Sequence, residues 1–227
     1  MHYRWRVLSP DDALRRQDEL RERLEIPSGP VPTPPEVVGL DVTYEEGSER
    51  AVAAAVVVDV ASLVVREVAI HRGKADFPYV PGLLAFREVP LLEAVIGRLS
   101  SPPALVMCDG YGLAHPRRFG LASHLGVQLG IPSFGVAKTA FIGSFAEPGP
   151  GRGESSDLID DGEVIGRVVR TQSGVKPVFV SAGHRIGLAD CAALTVRLSG
   201  RYRIPEPTRQ ADIESRRALR EWRSDAQ

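Results

Sequence analysis

The N-terminal part of the chain changes from a helical pattern of apolar residues to a strand-like one. In residues 9–25, leucines recur in a charged background after Ser9 and Pro10, which suit a helix N-cap and the first helical position. Residues 27–35 contain five prolines, which exclude a helix and indicate a stiff, extended connector. Two β-branched, almost continuously apolar runs then predict central strands, and a third run continues them, joined by short turns, into a three-stranded meander. These runs are residues 36–45, 51–60 and 62–72.

The rest of the chain alternates between strand-like and helix-like segments. Residues 83–99 have helical spacing, with Pro90 either kinking one helix or opening a second. The alternation after them predicts a parallel portion of the same sheet. Residues 146–157, rich in glycine, proline and charge, indicate a mobile surface loop. The remaining predicted elements are strands at 104–110, 131–138, 163–172 and 177–184 and helices at 119–130 and 187–200.

The order of these elements predicts one α/β domain, a mixed sheet with helices on its faces. A chain of 227 residues, 43% of them hydrophobic, is large enough to bury such a core. Within the single domain, residues 1–227, we distinguish an N-terminal helix and proline-rich connector at 1–35, a core at 36–212 and a C-terminal tail at 213–227.

Composition limits the classes of function. The formal net charge is −1, so the chain lacks the overall positive charge of a protein that coats nucleic acid, and any such contact must be local. The two cysteines have no CxxC spacing and indicate neither a disulfide framework nor a zinc site. The apolar runs are too short to span a bilayer, and the N-terminus lacks the apolar region of a signal peptide. We therefore expect a cytoplasmic protein with no membrane partner.

Three acidic residues lie where apolar strands and a helix would bury them. Asp41 is inside the first predicted strand, Asp109 ends the fourth, and Glu88 is on the helix between them. An ionised carboxylate in apolar surroundings is costly unless something compensates its charge. Each acid alone also suits a turn or a helix cap. Together the three predict a site for a hard divalent cation such as Mg²⁺, as in metal-dependent phosphoryl transfer.

Basic residues and glycines follow these acids. Lys138 ends a strand at the edge where α/β sheets usually bind ligands, so we expect it to stabilise an anion or position a water. Gly110 and Gly112 allow the backbone to approach a ligand closely. Further candidates for phosphate contact also suit a solvated surface or simple packing. They are His115, Arg117, Arg118, His184 and Arg209.

Six long segments between residues 36 and 212 contain most of these candidates. They are GLDVTY, FPYVPGLLAFRE, DGYGLAHPRRFGLASHLG, GVAK, SAGHRIGL and YRIPEPTRQAD. In this order and spacing they resemble the motifs of endonuclease V, the deoxyinosine 3′ endonuclease family. The resemblance implies an RNase H-like fold. It also implies Mg²⁺-dependent hydrolysis, with Mn²⁺ able to substitute, of the second phosphodiester bond 3′ to a deoxyinosine, leaving 3′-hydroxyl and 5′-phosphate ends.

The same resemblance implies roles for individual residues. By the family's pattern Asp41 and Asp109 bind the metal and Glu88 completes the acidic cluster, while His115 and Lys138 serve the attacking water and the scissile phosphate. A wedge that enters the duplex falls on Pro78, Tyr79, Val80 and Pro81, and the lesion pocket on Gly82, Leu83 and the turn after Asp109. Two departures bear on pocket shape and DNA affinity. They are Tyr111, where many members have histidine, and Thr139, where many have a second basic residue.

The implied partner is DNA containing deoxyinosine, and the physics of that substrate agrees. Extruding a base from the stack costs least when the base is mispaired, and a rigid aromatic wedge can fill the gap. Inosine carries a carbonyl where adenine carries an amine, so backbone N–H groups can select it. Two alternatives remain, a ribonuclease for inosine in single-stranded RNA and a non-catalytic module that binds damaged DNA. We expect a monomer.

Overall fold

A nine-stranded mixed sheet forms the centre of the protein in this computed structural model, which describes residues 8–225. The strands are β1 (Glu36–Tyr44), β2 (Arg50–Asp59), β3 (Val65–Lys74), β4 (Val106–Asp109), β5 (Ser133–Ala137), β6 (Ser144–Phe145), β7 (Ser155–Asp160), β8 (Glu163–Val169) and β9 (Val178–His184). The helices are α1 (Pro10–Arg21), α2 (Leu84–Ile96), α3 (Leu121–Leu129), α4 (Leu188–Leu198) and α5 (Glu206–Ser224). The N-terminal residues 1–7, part of the segment without a signal-peptide pattern, and the last two residues of the predicted tail lie outside the described residues.

The strand order is β3-β2-β1-β4-β5-β9-β8-β7-β6. The predicted meander is confirmed, because β1 pairs antiparallel with β2 and β2 with β3. The predicted parallel portion is confirmed too, because β4 lies parallel to both β1 and β5. Leu40 pairs with Cys108 across β1 and β4, so the next residues, Asp41 and Asp109, lie at the same end of neighbouring strands.

Helices cover both faces of the sheet. On one face, α2 and α3 bury a cluster that includes Leu40, Val89, Cys108 and Leu125. On the other face, α5 packs on β1 and β2, and α4 packs on β8 and β9. The N-terminal helix α1 packs on α3. The expected single α/β domain with a mixed sheet between helices is therefore confirmed.

The helix α5 lies close against β1 because Gly39 has no side chain. A Cβ atom at Gly39 would stand 2.0 Å from the carbonyl carbon of Pro207, well inside van der Waals contact. Side chains two residues apart on a strand point to the same side, so Asp41 and Thr43 follow Gly39 on the face toward α5. Our division of the chain at residue 212 falls inside this helix, and most of the predicted tail is helical.

Most other predicted elements are present, with shifted ends. Ser9 caps α1 through a capping box as expected, but the helix ends at Arg21. Pro90 lies inside one continuous helix rather than opening a second. The strands β6 and β7 were not predicted, and β7 takes the last three residues of the predicted loop 146–157. None of the helices within residues 8–225 combines the length and apolar character that a membrane span requires.

Candidate active site

The three predicted acids line one small cavity. Asp41 comes from β1, Asp109 from the adjacent end of β4, and Glu88 from α2, which crosses above them. The cavity has a volume of about 170 Å³, and we call it the carboxylate cavity. Its other walls are the apolar residues Leu40, Val42, Leu92 and Leu121. The fold thus concentrates three acids in apolar surroundings.

These surroundings raise the pKa values of two of the acids. Burial raises the pKa of Glu88 to about 8, and the charges of Asp41 and Asp109 add to the rise. Burial also raises the pKa of Asp41 to about 6, with repulsion from Asp109 and Asp212 opposing a hydrogen bond from Ser215 that lowers it. Both shifts have the same main cause, because the buried site solvates these negative charges less well than water does. A cation in the cavity would reverse that penalty.

Hydroxyl groups hold the carboxylates in place. The Oγ of Ser215, a fully buried residue of α5, donates to Oδ2 of Asp41 at 2.7 Å. Thr43 Oγ1 lies 2.6 Å from the same Ser215 oxygen. The Thr43 hydroxyl also lies 3.3 Å from Oδ2 of Asp41, so the two hydroxyls and the carboxylate form one hydrogen-bonded cluster. The phenol of Tyr44 donates to Oε1 of Glu88 at 2.9 Å.

Lys138 lies beside the acids, at the end of β5. Its Nζ donates to Oδ2 of Asp109 at 2.6 Å, and its side chain remains 48% exposed. Burial alone would lower the pKa of Lys138, but the hydrogen bond to Asp109 and the nearby negative charges raise it overall. The ammonium group is therefore positive at neutral pH and accessible to an anion that approaches the cavity.

The donor set of the carboxylate cavity fits a hard divalent cation. Carboxylate oxygens are the ligands that Mg²⁺ and Mn²⁺ prefer, and Mg²⁺ keeps several waters when it binds. Among residues 8–225, no group of three or more His, Cys, Asp and Glu side chains is arranged so that it could already hold a metal ion. Lys138 holds one oxygen of Asp109 and Ser215 one oxygen of Asp41, which leaves each carboxylate its other oxygen. Asp41, Asp109 and Glu88 would hold the ion.

Asp212 on α5 is a fourth acid at this place, and our sequence prediction does not include it. Its negative charge raises the pKa values of both Asp41 and Lys138. Arg216 donates to Oδ1 of Asp212 at 2.8 Å. The signal for this residue was its spacing of three from Ser215, which puts both on one face of a helix. That signal is readable only once α5 is recognised as a helix.

A second cavity of about 400 Å³ adjoins the first. The two share Asp109 and Leu121 as wall residues, and Lys138 also lines the second, which we call the larger cavity. Of the predicted wedge, Tyr79, Val80 and Pro81 line its mouth, and the side chain of Tyr79 is 72% exposed. Pro78 is exposed and outside the lining.

The predicted pocket residues divide between this cavity and the core. Gly82 lines the larger cavity, but Leu83 is buried in a cluster with Ala13 and Phe77, and Leu84 takes the lining position. Leu83 is the N-cap residue of α2 and only 2% exposed, whereas Leu84, the first residue of the helix, lines the cavity. The placement of the pocket on Leu83 is thus corrected by one residue.

The residues of the turn after Asp109 also have different surroundings. Gly110 and Tyr111 line the larger cavity. Gly112 instead packs against β9, where a Cβ atom would stand 2.0 Å from the carbonyl oxygen of Ala182. The glycine therefore serves a close backbone contact and not the ligand approach that we expected of it.

An aromatic pair forms one side of the larger cavity. The rings of Tyr111 and Phe141 lie 5.4 Å apart, and the Tyr111 phenol donates to the carbonyl of Thr139 at 3.1 Å. Phe141 is 41% exposed and was not predicted as a site residue. The sequence around Phe141 gives no signal that this residue belongs to a site. The two positions that depart from the resembled motifs, Tyr111 and Thr139, thus contact each other.

His115 is placed differently from its predicted role beside the attacking water. It lines the larger cavity and not the carboxylate cavity, and only 4% of it is exposed. Burial lowers its pKa to about 4, and its Nδ1 accepts the backbone N–H of Arg117 at 3.2 Å. A neutral imidazole with Nδ1 as acceptor carries its proton on Nε2, which lies near Gly82. His115 thus supports the cavity wall.

The other predicted basic contacts are engaged within the protein. Arg117 pairs with Asp18 of α1 at 2.5 Å, and Arg118 pairs with Asp160 and Glu163. His184 is 2% exposed and accepts the N–H of Glu25 through Nδ1, and Arg209 pairs with Glu206 over the ring of Tyr202. None of these four lines either cavity. The phosphate contacts predicted for them stay predictions.

The sequence matches the family model for endonuclease V over residues 18–213. The chain belongs to the endonuclease V family. A relative named endonuclease V from Streptomyces avermitilis is 53% identical over 212 residues, which cover 93% of each chain. One from Nocardia farcinica is 47% identical over 210 residues, 92% of each. Endonuclease V proteins are nucleases, so this protein is a phosphodiester-hydrolysing endonuclease, and the nucleases of the family depend on metal.

Solved endonuclease V structures share the fold. The crystal structure from Streptomyces avermitilis has a TM-score of 0.91 at 51% identity and covers 96% of each chain. The catalytic domain of the human protein has a TM-score of 0.86 at 34% identity, covering 93% of this chain and 96% of that one. The Ciona intestinalis protein was crystallised with a 23mer DNA containing an inosine followed by a ribo-adenosine. It has a TM-score of 0.84 at 29% identity over 94% of this chain and 99% of that one. The expected RNase H-like fold is confirmed.

Proposed function

We propose that the protein recognises deoxyinosine in DNA and hydrolyses the second phosphodiester bond on its 3′ side, leaving 3′-hydroxyl and 5′-phosphate ends. The observation that carries the proposal is the pair of adjoining cavities that share Asp109 and Leu121. A base extruded into the larger cavity has its own backbone next to the carboxylates. The Ciona relative, crystallised with inosine-containing DNA, supports this choice of base.

The larger cavity suits an extruded base. Its volume of about 400 Å³ falls within the range of ordinary small-ligand pockets, and its walls are mostly apolar or aromatic. Tyr79 at the mouth is exposed and follows Pro78, which restricts the backbone before it, so the ring can enter the duplex with little loss of entropy. Inosine presents a carbonyl oxygen where adenine presents an amino group, and a backbone N–H at the wall distinguishes them.

The carboxylate cavity suits the hydrolysis. Asp41, Asp109 and Glu88 would hold Mg²⁺, with Mn²⁺ able to substitute, and the bound ion would supply Lewis-acid polarisation of the phosphate and activation of water. Lys138, half exposed and positively charged, stabilises the negative charge that develops on the scissile phosphate. The hydroxyls of Ser215 and Tyr44 keep Asp41 and Glu88 directed into the cavity.

A nicking assay tests the proposal. The protein is incubated with Mg²⁺ and a duplex carrying one deoxyinosine, and a matched duplex carries deoxyadenosine at that position. We expect a single nick, one phosphodiester beyond the bond adjacent to the lesion, and a ligatable 3′-hydroxyl. Equal cutting of both duplexes, or no cutting in any divalent metal, contradicts the proposal.

Lys138→Met should lower kcat while leaving the binding of the duplex in Ca²⁺ nearly unchanged.

A second substrate follows from the Ciona complex, whose DNA has a ribonucleotide after the inosine. That relative accommodates a 2′-hydroxyl next to the lesion, so inosine in single-stranded RNA is the alternative substrate for this chain. Matched DNA and RNA oligonucleotides decide between them, because only contacts to the 2′-hydroxyl separate the two. If the RNA is cleaved preferentially, inosine-containing RNA is the main substrate in place of deoxyinosine DNA. We further propose that the protein acts as a monomer in the cytoplasm.

A further inference from the structure

One side chain of the N-terminal helix reaches the walls of the larger cavity. Gln17 of α1 is only 1% exposed. Its Nε2 donates to the carbonyl oxygen of Phe119 at 2.9 Å and to that of Gly82 at 3.1 Å. The amide nitrogen carries two hydrogens, so both bonds form at once. Gly82 and Phe119 line the cavity from opposite segments of the chain, 65 and 102 residues away from Gln17.

Other contacts of α1 follow the same two segments. Ala13 is buried with Phe77 and Leu83, which flank the wedge, and Leu20 is buried with Phe119. Asp18 pairs with Arg117 in the turn before Phe119, at 2.5 Å. The helix therefore spans the gap between the wedge segment and the turn at residues 115–119, and Gln17 is the point where it bonds to the backbone of both.

Packing alone does not explain a glutamine at this position. Burying its amide carries a desolvation cost, and its Oε1 has no hydrogen-bond partner within residues 8–225. A methionine of similar length would fill the same space without that unpaired oxygen. What the glutamine adds is the pair of donated bonds, and one of them ends on Gly82, whose φ of 82° makes its conformation accessible mainly to glycine.

We propose that Gln17 is a positioning residue of the larger cavity, which fixes the spacing of its Gly82 and Phe119 walls so that an extruded purine fits between them. The inference rests on the proposed function for the identity of the base. Gln17 does not line the cavity, so it acts through the two backbone carbonyls. Pre-organised walls lower the ordering entropy that base entry would otherwise cost.

Two matched variants test the inference. Gln17→Met removes both donated bonds at nearly constant volume. Gln128→Met is the control, because Gln128 joins two helices through one amide hydrogen bond, to Glu93 at 2.7 Å, and that bond ends outside both wall segments. Backbone amide exchange is measured over residues 77–85 and 115–121, together with KM and kcat on deoxyinosine and deoxyadenosine duplexes.

We expect Gln17→Met to speed exchange in both segments, raise KM for the deoxyinosine duplex about tenfold, and change kcat less than about twofold. Gln128→Met should leave exchange in these segments and KM unchanged, although both variants lower the melting temperature. The inference is overturned if Gln17→Met has the same exchange rates and the same KM as the unmodified protein. It is also overturned if Gln17→Met and Gln128→Met show the same faster exchange and the same rise in KM. If the unmodified protein does not nick deoxyinosine DNA, the proposed function fails, and the exchange result decides this inference by itself.

Discussion

Replacement of Glu88 by glutamine should stabilise the metal-free protein at alkaline pH while it abolishes cutting. Burial raises the pKa of Glu88 from 4.5 to about 8, which means that the folded protein disfavours its ionised form. Such a group contributes its full share of the folding stability at a pH below its pKa in the unfolded chain. That contribution is lost as the pH rises toward the pKa of the group in the folded protein. Glutamine has the same shape, never ionises, and can still accept the bond from Tyr44.

The magnitude follows from the size of the shift. Each pKa unit corresponds to about 1.4 kcal/mol, so ionising Glu88 costs the folded state on the order of 4 kcal/mol at pH 8 and below about 1 kcal/mol at pH 5. For a chain of this size, 4 kcal/mol corresponds to roughly 10 °C in melting temperature. Glu88→Gln should therefore melt roughly 10 °C above the unmodified protein at pH 8 in EDTA.

Thermal melting in EDTA at pH 5 and pH 8 is the assay. Glu46→Gln, an exposed turn residue, is the control and should show no gain at either pH. Mg²⁺ should raise the melting temperature of the unmodified protein at pH 8 and leave that of Glu88→Gln nearly unchanged. A gain of the same size at both pH values, or no gain at pH 8, would refute the argument that Glu88 is a destabilising buried charge.

Three further predictions concern the wedge, the helix α5 and the fourth acid. Tyr79→Ala should reduce the ratio of cutting between deoxyinosine and deoxyadenosine duplexes without changing the Mg²⁺ requirement, and an unchanged ratio contradicts the wedge role. Gly39→Ala places a Cβ atom 2.0 Å from the backbone of α5 and should cost about 2 kcal/mol or more in urea unfolding, whereas Gly29→Ala, with open space around it, should be nearly neutral. Asp212→Asn removes a repulsive charge and should lower the pKa of Asp41 below about 6, as measured by carboxyl NMR titration; an unshifted value means the two acids do not interact.

The centre of the sheet was predictable because strands such as β2, β4 and β5 are buried on both faces. The runs around Asp41 and Asp109 are almost continuously apolar, because few of their positions face solvent and need a polar residue. The pairing of these strands follows from the short turns and the helical crossovers between them. The edge strand β6 and its neighbour β7 were not predicted. β6 has two exposed residues, and β7 begins in a stretch of serines and acids that carries no apolar alternation.

The helix α5 was not predicted because its buried face carries few large apolar residues, Leu219 among them. Ala211, Ser215 and Ala218 face the sheet, and only small side chains fit where Gly39 lets the helix approach so closely. Sequence patterns identify a buried helix face by its large apolar residues, so they do not detect a face that is buried through small ones. The roles of Asp212 and Gln17 were therefore hidden for a single reason, since each depends on a tertiary contact of a charged, surface-like helix.

The close contact between α5 and β1 has a consequence for synthesis of the protein. Asp41 emerges from the ribosome early, whereas Ser215 and Asp212, which hold and polarise it, emerge more than 170 residues later. Until the C-terminal helix docks over Gly39, the first strand has neither the hydroxyl that orients its acid nor the cover that keeps water from it. A nascent or prematurely released chain that lacks α5 thus carries Asp41, Glu88 and Asp109 without the Ser215 hydroxyl and without the charge of Asp212.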